Sequence, residues 1–507
     1  MADIVGVNTV DQLKANISLS ASGVDGLNGE KVKAVNLGNW LVIEGWMKPS
    51  LFEGIPVGDM LDGAKVRFKS LSSNKYVSAE DGGSSCVVTV DREVASNWET
   101  FRLWRVSQSE FQFRTHNGQF LSCGGEGASV SVTSNYPSST ETFSIVRSSN
   151  DRVHIKLSSG TYLQVSSGNE LKADYIGIPE WEDNAATFEM TFEGGKVMLG
   201  EYQLTNGYGY EKATEVLNEH WSSYITQADF QFLSENGINT VRIPVGWWIA
   251  QDPNPPAPYI GGSLAALDNA FKWAQEYNIK CIVNLHAVIG SQNGWEHSAS
   301  RDGSVDWGTS DENIQQSLDV IEFLASRYGS DPALLGIQLL NEPKSSEVPF
   351  YVLQDYYSKG YNIVRKYSAT AYVIMCQFVD TDPTELYHAI AKLGLSNVVL
   401  DLHFYNLFHP KFDKMGSTEN IEFIKDSRKA QVDSLNTANG DGPLVFIGEW
   451  VNEWSFRDGS EENYQDFGRA QLDVYGSASF GWAYWSFKNV NDHWSLEWNI
   501  KNKIMQL

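Results

Sequence analysis

The sequence predicts an α/β protein: a (β/α)8 TIM barrel into which an all-β domain is inserted. Three observations carry this. Beyond about Tyr202, short β-rich runs alternate with amphipathic segments long enough to be helices. Between about Ala64 and Phe192 the chain is rich in Ser, Gly and Thr, shows no helical period and repeats itself three times. One further β-rich run, Val32–Glu44, precedes that stretch and raises the predicted strand count to eight.

The β-rich runs of the second half are Ile238–Trp247, Ile279–Val288, Leu334–Pro343, Ala371–Phe378, Asn397–Tyr405, Leu444–Trp450 and Gly481–Lys488. Between them Ser263–Tyr277, Asn313–Tyr328, Phe350–Tyr367 and Tyr464–Tyr475 carry apolar residues at helical spacing. In the Ser-rich stretch, Tyr76, Phe120 and Tyr162 recur at intervals of 44 and 42 residues. Phe101, Phe143 and Phe188 recur at 42 and 45. A unit this small cannot bury its own apolar face, so the three must share one core. Three units of about four strands fit a β-trefoil. The expected organisation is therefore a discontinuous barrel, 1–60 and 193–507, interrupted by a β-trefoil over 61–192.

Composition narrows the function. Of 507 residues, 42% are hydrophobic and 12% aromatic, as a packed chain requires. The formal charge of −25 repels phosphate backbones and argues against nucleic acid as a partner. No apolar run is long enough to span a membrane. Cys86, Cys123, Cys281 and Cys376 show no metal-binding spacing; Cys281 and Cys376 read as buried thiols, and Cys86 could pair with Cys123. The N-terminus has no basic region followed by an apolar stretch. The expectation is a mature secreted chain, of cell wall, apoplast or vacuole, with a cytoplasmic protein as the alternative. Asn16-Ile17-Ser18 is a glycosylation sequon. The chain is expected to act as a monomer, without cofactor or metal.

Polar residues at the C-terminal ends of barrel strands are the catalytic candidates. Here they are Glu44, Arg242, His286, Asn341, Glu342, His403, Tyr405, Glu449 and Trp485. Glu342 in IQLLNEP and Glu449 in VFIGEW each interrupt a strongly apolar run. Two carboxylates across one cleft suit glycoside cleavage: one protonates the leaving oxygen, and the other attacks the anomeric carbon or activates water. The plainer reading makes one of them an ion-pair partner of Arg242.

The segments NLGNWLVIEGW, TVRIPVGWW, IVNLHA, GSQNGWEHS, LLNEP, LHFYN, FIGEW and YWSFK, in that order, resemble glycoside hydrolase family 5 over nearly the whole chain. The branch is similar to plant-type exo-1,3-β-glucanases and β-glucosidases with a fascin-like insert. The resemblance implies a retaining exo-acting β-glycosidase. Glu342 would be its acid/base and Glu449 its nucleophile, about 5–5.5 Å apart. Arg242 would keep Glu449 ionised, and Asn341 would bind the sugar 2-hydroxyl. His286, His403 and Tyr405 would orient carboxylates and sugar, over an aromatic floor at Trp485. Glu44 would contact outer hydroxyls, and Trp295 with Phe408 would clamp the next sugar. Trp295-Glu296-His297 stands where similar fungal chains carry Phe-Asp-Asn, and Ala287-Val288-Ile289-Gly290 replaces Ala-Pro-Gly; both bear on the preferred sugar and on loop shape. A plant-glycoside diglycosidase of rutinosidase type, a transglycosidase and a non-catalytic carbohydrate-binding protein are the competing readings.

Overall fold

The chain starts its regular structure with β1 (Val32–Asn36) and then leaves the barrel for twelve antiparallel strands. The computed structural model describes residues 24–148, 151–182, 184–194, 197–379, 381–437, 442–457 and 459–507; the Asn16 sequon lies outside them. The twelve strands fall into three sets of four. They are β2 (Lys65–Ser70), β3 (Tyr76–Ala79), β4 (Val88–Arg92) and β5 (Phe101–Arg105); then β6 (Glu110–Arg114), β7 (Phe120–Ser122), β8 (Ser131–Ser134) and β9 (Phe143–Arg147); then β10 (Arg152–Lys156), β11 (Tyr162–Val165), β12 (Leu171–Tyr175) and β13 (Phe188–Phe192). The first and last strands of each set pair around a closed ring, and β13 pairs back onto β2. The middle two strands of each set form a hairpin against it. This ring with three hairpins has the connectivity of a β-trefoil.

The repeat residues explain the ring. Phe101, Phe143 and Phe188 are all buried in one cluster with Phe68, Phe111, Phe113 and Met190. In two repeats a carboxylate fixes the turn before the closing strand. Glu99 accepts from the backbone N–H and hydroxyl of Ser96, and Glu141 does the same for Ser138. In the third repeat Asn184 caps the backbone N–H of Ala186 instead. Cys86 is exposed, Cys123 is buried, and both are free thiols.

The barrel resumes with β14 (Thr240–Gly246), β15 (Lys280–Ala287), β16 (Leu334–Gln338), β17 (Tyr372–Cys376), β18 (Val398–Asn406), β19 (Leu444–Trp454) and β20 (Gly481–Tyr484). All neighbours are parallel, and β20 closes on β1 with Val32 opposite Gly481. Gly481 has φ +128°, and a Cβ there would stand 2.1 Å from the Val32 carbonyl oxygen, so only glycine permits closure at that point. Helices such as Ser263–Glu276, Asp311–Tyr328, Phe350–Tyr367 and Glu461–Tyr475 pack their apolar faces on the outside of the strands. The run Val32–Glu44 is strand only as far as Asn36. The three helices Glu201–Tyr208, Tyr210–Ser223 and Gln227–Glu235, between insert and β14, have no counterpart among the predicted elements.

Alternation along the strands builds the interior in layers. Ala34, Ile282, Ile374, Val399, Phe446 and Ala483 form an apolar floor. Two residues further along their strands come Asn36, Asn284, Cys376 and Asp401, joined by Arg242 and Gln338. Two further still on β15 and β18 come His286 and His403. The core thus turns from apolar to polar toward the C-terminal mouth.

Candidate active site

Arg242 is fully buried at the centre of this polar layer. Its guanidinium donates to Gln338 Oε1 at 2.8 Å, Asn36 Oδ1 at 2.6 Å, Asn341 Oδ1 at 2.7 Å and Glu449 Oε1 at 3.0 Å. Such an array fixes a buried cation and aims it at Glu449. The Tyr405 hydroxyl donates to the other Glu449 oxygen at 2.7 Å. Burial pushes the Glu449 carboxyl above the ordinary carboxylate range and Glu342 adds to this, while His403 and Arg242 oppose it.

Glu342 lies just beyond β16 with φ +45°, a left-handed backbone that a non-glycine residue adopts only where its surroundings impose it. His403 Nδ1 donates to its Oε1 at 2.6 Å, and His297 Nε2 lies 3.2 Å from its Oε2. Burial alone would raise this carboxyl, but the two imidazoles outweigh it and hold Glu342 well below the usual range. His403 also lies 3.4 Å from Glu449, and its Nε2 lies 3.1 Å from Asp401. Burial opposes its charge, but this ring of carboxylates raises its pKa well above that of a free imidazole. The same balance brings His297 to about 9. One carboxylate oxygen each of Glu342 and Glu449 and a ring nitrogen of His403 lie within 4.8 Å of one another.

Around this pair the mouth is aromatic and polar. His286 lies parallel to Trp485, ring centres 5.6 Å apart, and accepts from the Asn284 amide at Nδ1. Burial and the neighbouring cations His297 and Arg242 keep it neutral. Glu44 accepts from Trp46 Nε1 at one oxygen; its other oxygen and the Asn341 amide nitrogen are buried without a partner among the described residues. Both suit a polyhydroxylated ligand, which offers donors and acceptors together. Burial raises Glu44 to about 8. Trp295 and Phe408 stand at the rim, 40% and 78% exposed. Phe408 leans on Tyr405 and on Trp494, which in turn meets Trp46. Glu296 Oε2 accepts from the Leu199 backbone N–H at 3.2 Å, where the chain returns from the insert.

Sequence reasoning missed Asn36, Gln338, Asp401, Asn293, Trp46 and Trp494. Asp401 had a legible signal, since it lies two residues before His403 on one strand face. Cys376, Asp401 and His403, and Glu342, His403 and Glu449, offer ligand atoms within reach of one ion. Each set includes the protonated His403, and Arg242 approaches Asp401 and Glu449, which favours hydrogen bonding over a further cation.

A β/α barrel with two carboxylates facing each other at its C-terminal mouth is the framework of a glycoside hydrolase. Residues 176–491 match the profile of cellulases, glycosyl hydrolase family 5. The chain belongs to that family. It is 32% identical over 344 residues to a glucan 1,3-beta-glucosidase of Yarrowia lipolytica, covering 61% of this chain and 80% of that one. It is 35% identical over 269 residues to a probable glucan 1,3-beta-glucosidase A of Emericella nidulans, covering 52% and 62%. A rutinosidase from Aspergillus niger shares the fold, with a TM-score of 0.53 at 20% identity, over 61% of this chain and 90% of that one. Residues 57–192 match a domain of unknown function, DUF7910, so the fascin-like character of the insert remains a sequence resemblance.

Proposed function

We propose that this hydrolase is a retaining, exo-acting β-glycosidase that removes glucose from β-glucosides or 1,3-β-gluco-oligosaccharides. The observation that carries the reading is the close pair: carboxyl oxygens within 4.8 Å, bridged by His403. That spacing falls short of the roughly 6.5–9.5 Å that separates the carboxyls of an inverting pair.

Glu449 is the nucleophile. Arg242 and Tyr405 hold one oxygen each, so the carboxylate faces the anomeric carbon in a fixed orientation. Its attack forms the glycosyl ester as the bond to the leaving oxygen breaks. Glu342 and His403 share a proton across 2.6 Å, and Glu342 delivers it to that oxygen. Glu342 then takes a proton from water, whose oxygen displaces Glu449. The free Asn341 amide suits the sugar 2-hydroxyl, Trp485 the ring face, and Glu44 an outer hydroxyl. Trp295, His297 and Phe408 border the leaving side. The chain acts as a monomer, in a compartment that holds glucans or plant glycosides, apoplast or vacuole.

Glu449→Ala tests the assignment. Turnover of an aryl β-glucoside is expected to vanish, and added azide to restore it as the α-glycosyl azide. Recovery of the β-product would remove Glu449 from the nucleophile role. A panel of aryl glycosides and laminari-oligosaccharides, with product analysis, fixes the glycone and the share of transfer to alcohols.

A further inference from the structure

The loop from β15 to the helix Asp311–Tyr328 carries Trp295 and His297, and the inserted β-domain holds it at its far end. Asp302, only 4% exposed, is the point of attachment. Its Oδ2 accepts from Trp104 Nε1 at 2.7 Å and from Arg114 at 2.9 Å, with Arg102 3.7 Å away. Arg102 and Arg114 also donate to the Ser304 hydroxyl, at 2.9 and 2.6 Å. These three residues belong together by strand geometry. Arg102 and Arg114 are register partners on β5 and β6, and Trp104 lies two residues beyond Arg102 on the same face. The Arg301 guanidinium lies 3.7 Å over the Trp104 ring and donates to Asp62, where the chain enters the insert.

The near end is tied to the segment returning from the insert. Leu199 donates its backbone N–H to Glu296, and a Cβ on Gly200 would meet the Glu296 carbonyl oxygen at 2.4 Å. Between the two ends the loop is internally braced. Ser291 and Ser298 hydroxyls meet at 2.6 Å, and Asn293 donates to the Glu342 carbonyl oxygen at 3.0 Å beside the His297 ring. Next to Asp302, Gly303 donates its N–H to the Ser300 hydroxyl, and Ser300 donates its own N–H to the Trp295 carbonyl oxygen, so contacts run from the β-domain through Asp302 and the loop to His297, and from His297 to the Glu342 carboxylate.

We propose that the inserted β-domain is a brace for this loop, and that Arg102, Trp104 and Arg114 are positioning residues that act on Glu342 through His297. The kinetic part of the proposal rests on the glycosidase reading; the mechanical part does not.

The test is Arg102→Met/Arg114→Met in the full chain, with Trp104→Phe as the milder variant. Trp104→Phe removes the N–H while keeping a ring beneath Arg301. Hydrogen exchange is expected to speed up in 294–306 while strands within the insert keep their protection. On an aryl β-glucoside, kcat/KM should fall by roughly 10–100-fold, the scale of an ångström-sized misplacement. The alkaline limb of the pH profile should move up, as it should in His297→Asn, because Glu342 loses a facing cation. Combined with His297→Asn, the losses should not add. Unchanged exchange in 294–306 overturns the brace, whatever the activity. Faster exchange with additive losses and an unmoved alkaline limb overturns the route through His297. Should the double Met variant not fold, Trp104→Phe decides by the same readings. Should the unaltered chain cleave no glycoside, the glycosidase reading falls, and exchange still decides the brace.

Discussion

Glu44 is a buried carboxyl with a single side-chain donor among the described residues, and its burial sets two properties against each other. Its pKa is about 8 in the folded chain against 4.5 when exposed. Between those values the unfolded chain has released the proton and the folded chain has not, so rising pH favours unfolding. Glu44→Gln is therefore expected to raise Tm at pH 7 by about 1 °C for each kcal/mol regained, and to leave it unchanged near pH 4. The same change should lower kcat/KM, since the amide presents a different donor pattern to a sugar hydroxyl. Thermal melts at the two pH values, with kinetics, check both. Arg242 supports the opposite expectation. Removing its charge in Arg242→Met leaves Glu449 buried without its cation, so the acid limb of kcat/KM should move to higher pH and kcat should fall by about 100-fold or more. A pH profile of the variant shows both. The candidate site was legible where a polar residue interrupts an apolar run, as at Glu342, Glu449 and His403. It was not legible at Gln338 or Asn36, where a single amide inside a strand looks like any exposed polar residue until the strand's phase is known. Glu296 has a tie that no local pattern shows: a backbone amide 97 residues earlier in the chain donates to its carboxylate.

At the scale of elements, the loops after β15 and β18 raise Trp295 and Phe408 above the mouth, while Trp485 lies buried beneath it. Rim aromatics bind by stacking on sugar faces, a contribution on the order of 1 kcal/mol each. Trp295→Ala and Phe408→Ala are expected to lower kcat/KM on laminaribiose about tenfold, since about 1.4 kcal/mol is one decade, and less on an aryl glucoside with a highly activated leaving group. Equal losses on every substrate would assign both residues to packing. Helices with a clear apolar stripe could be read nearly to their ends; Phe350–Tyr367 matches the predicted segment, and Ser310 and Ser460 cap two others with their side chains. The helices from Glu201 to Glu235 escaped because Gly207 and Gly209 and a mixed polar surface obscure their period. Trp494, which backs Phe408, lies on the loop beyond β20 and carries no periodic signal at all.

On the scale of the whole molecule, barrel and insert have separate buried apolar clusters, on both of which the half-buried Val197 packs, and charged groups such as Arg114 and Asp302 pair across their contact. The insert should therefore fold alone: residues 57–197 expressed by themselves are expected to melt cooperatively and to show dispersed amide resonances. A collapsed fragment without dispersion would mean that the barrel completes its core. Both domains were legible because each repeats a simple unit, strand-helix in one and a four-strand set in the other. Their contact was not, because Arg102, Trp104 and Arg114 occupy one face of two strands and read as an ordinary solvated surface.

The returning segment at Leu199 and Gly200 imposes a rule about chain length. Leu199 accepts from Gly45 and donates to Glu296, while Gly200 bridges to Glu44, so the segment is threaded between two mouth loops in a fixed phase. An extended chain reverses its bonding direction at every residue. Adding one residue after Val197 would carry the Leu199 side chain into the slot where Gly200 leaves no space for one. The hairpin tips around Gly125 and Gly160, where a Cβ meets nothing, are free of that constraint. Insertions and deletions accumulating in this lineage should therefore collect at those tips and spare the four residues from Val197 to Gly200.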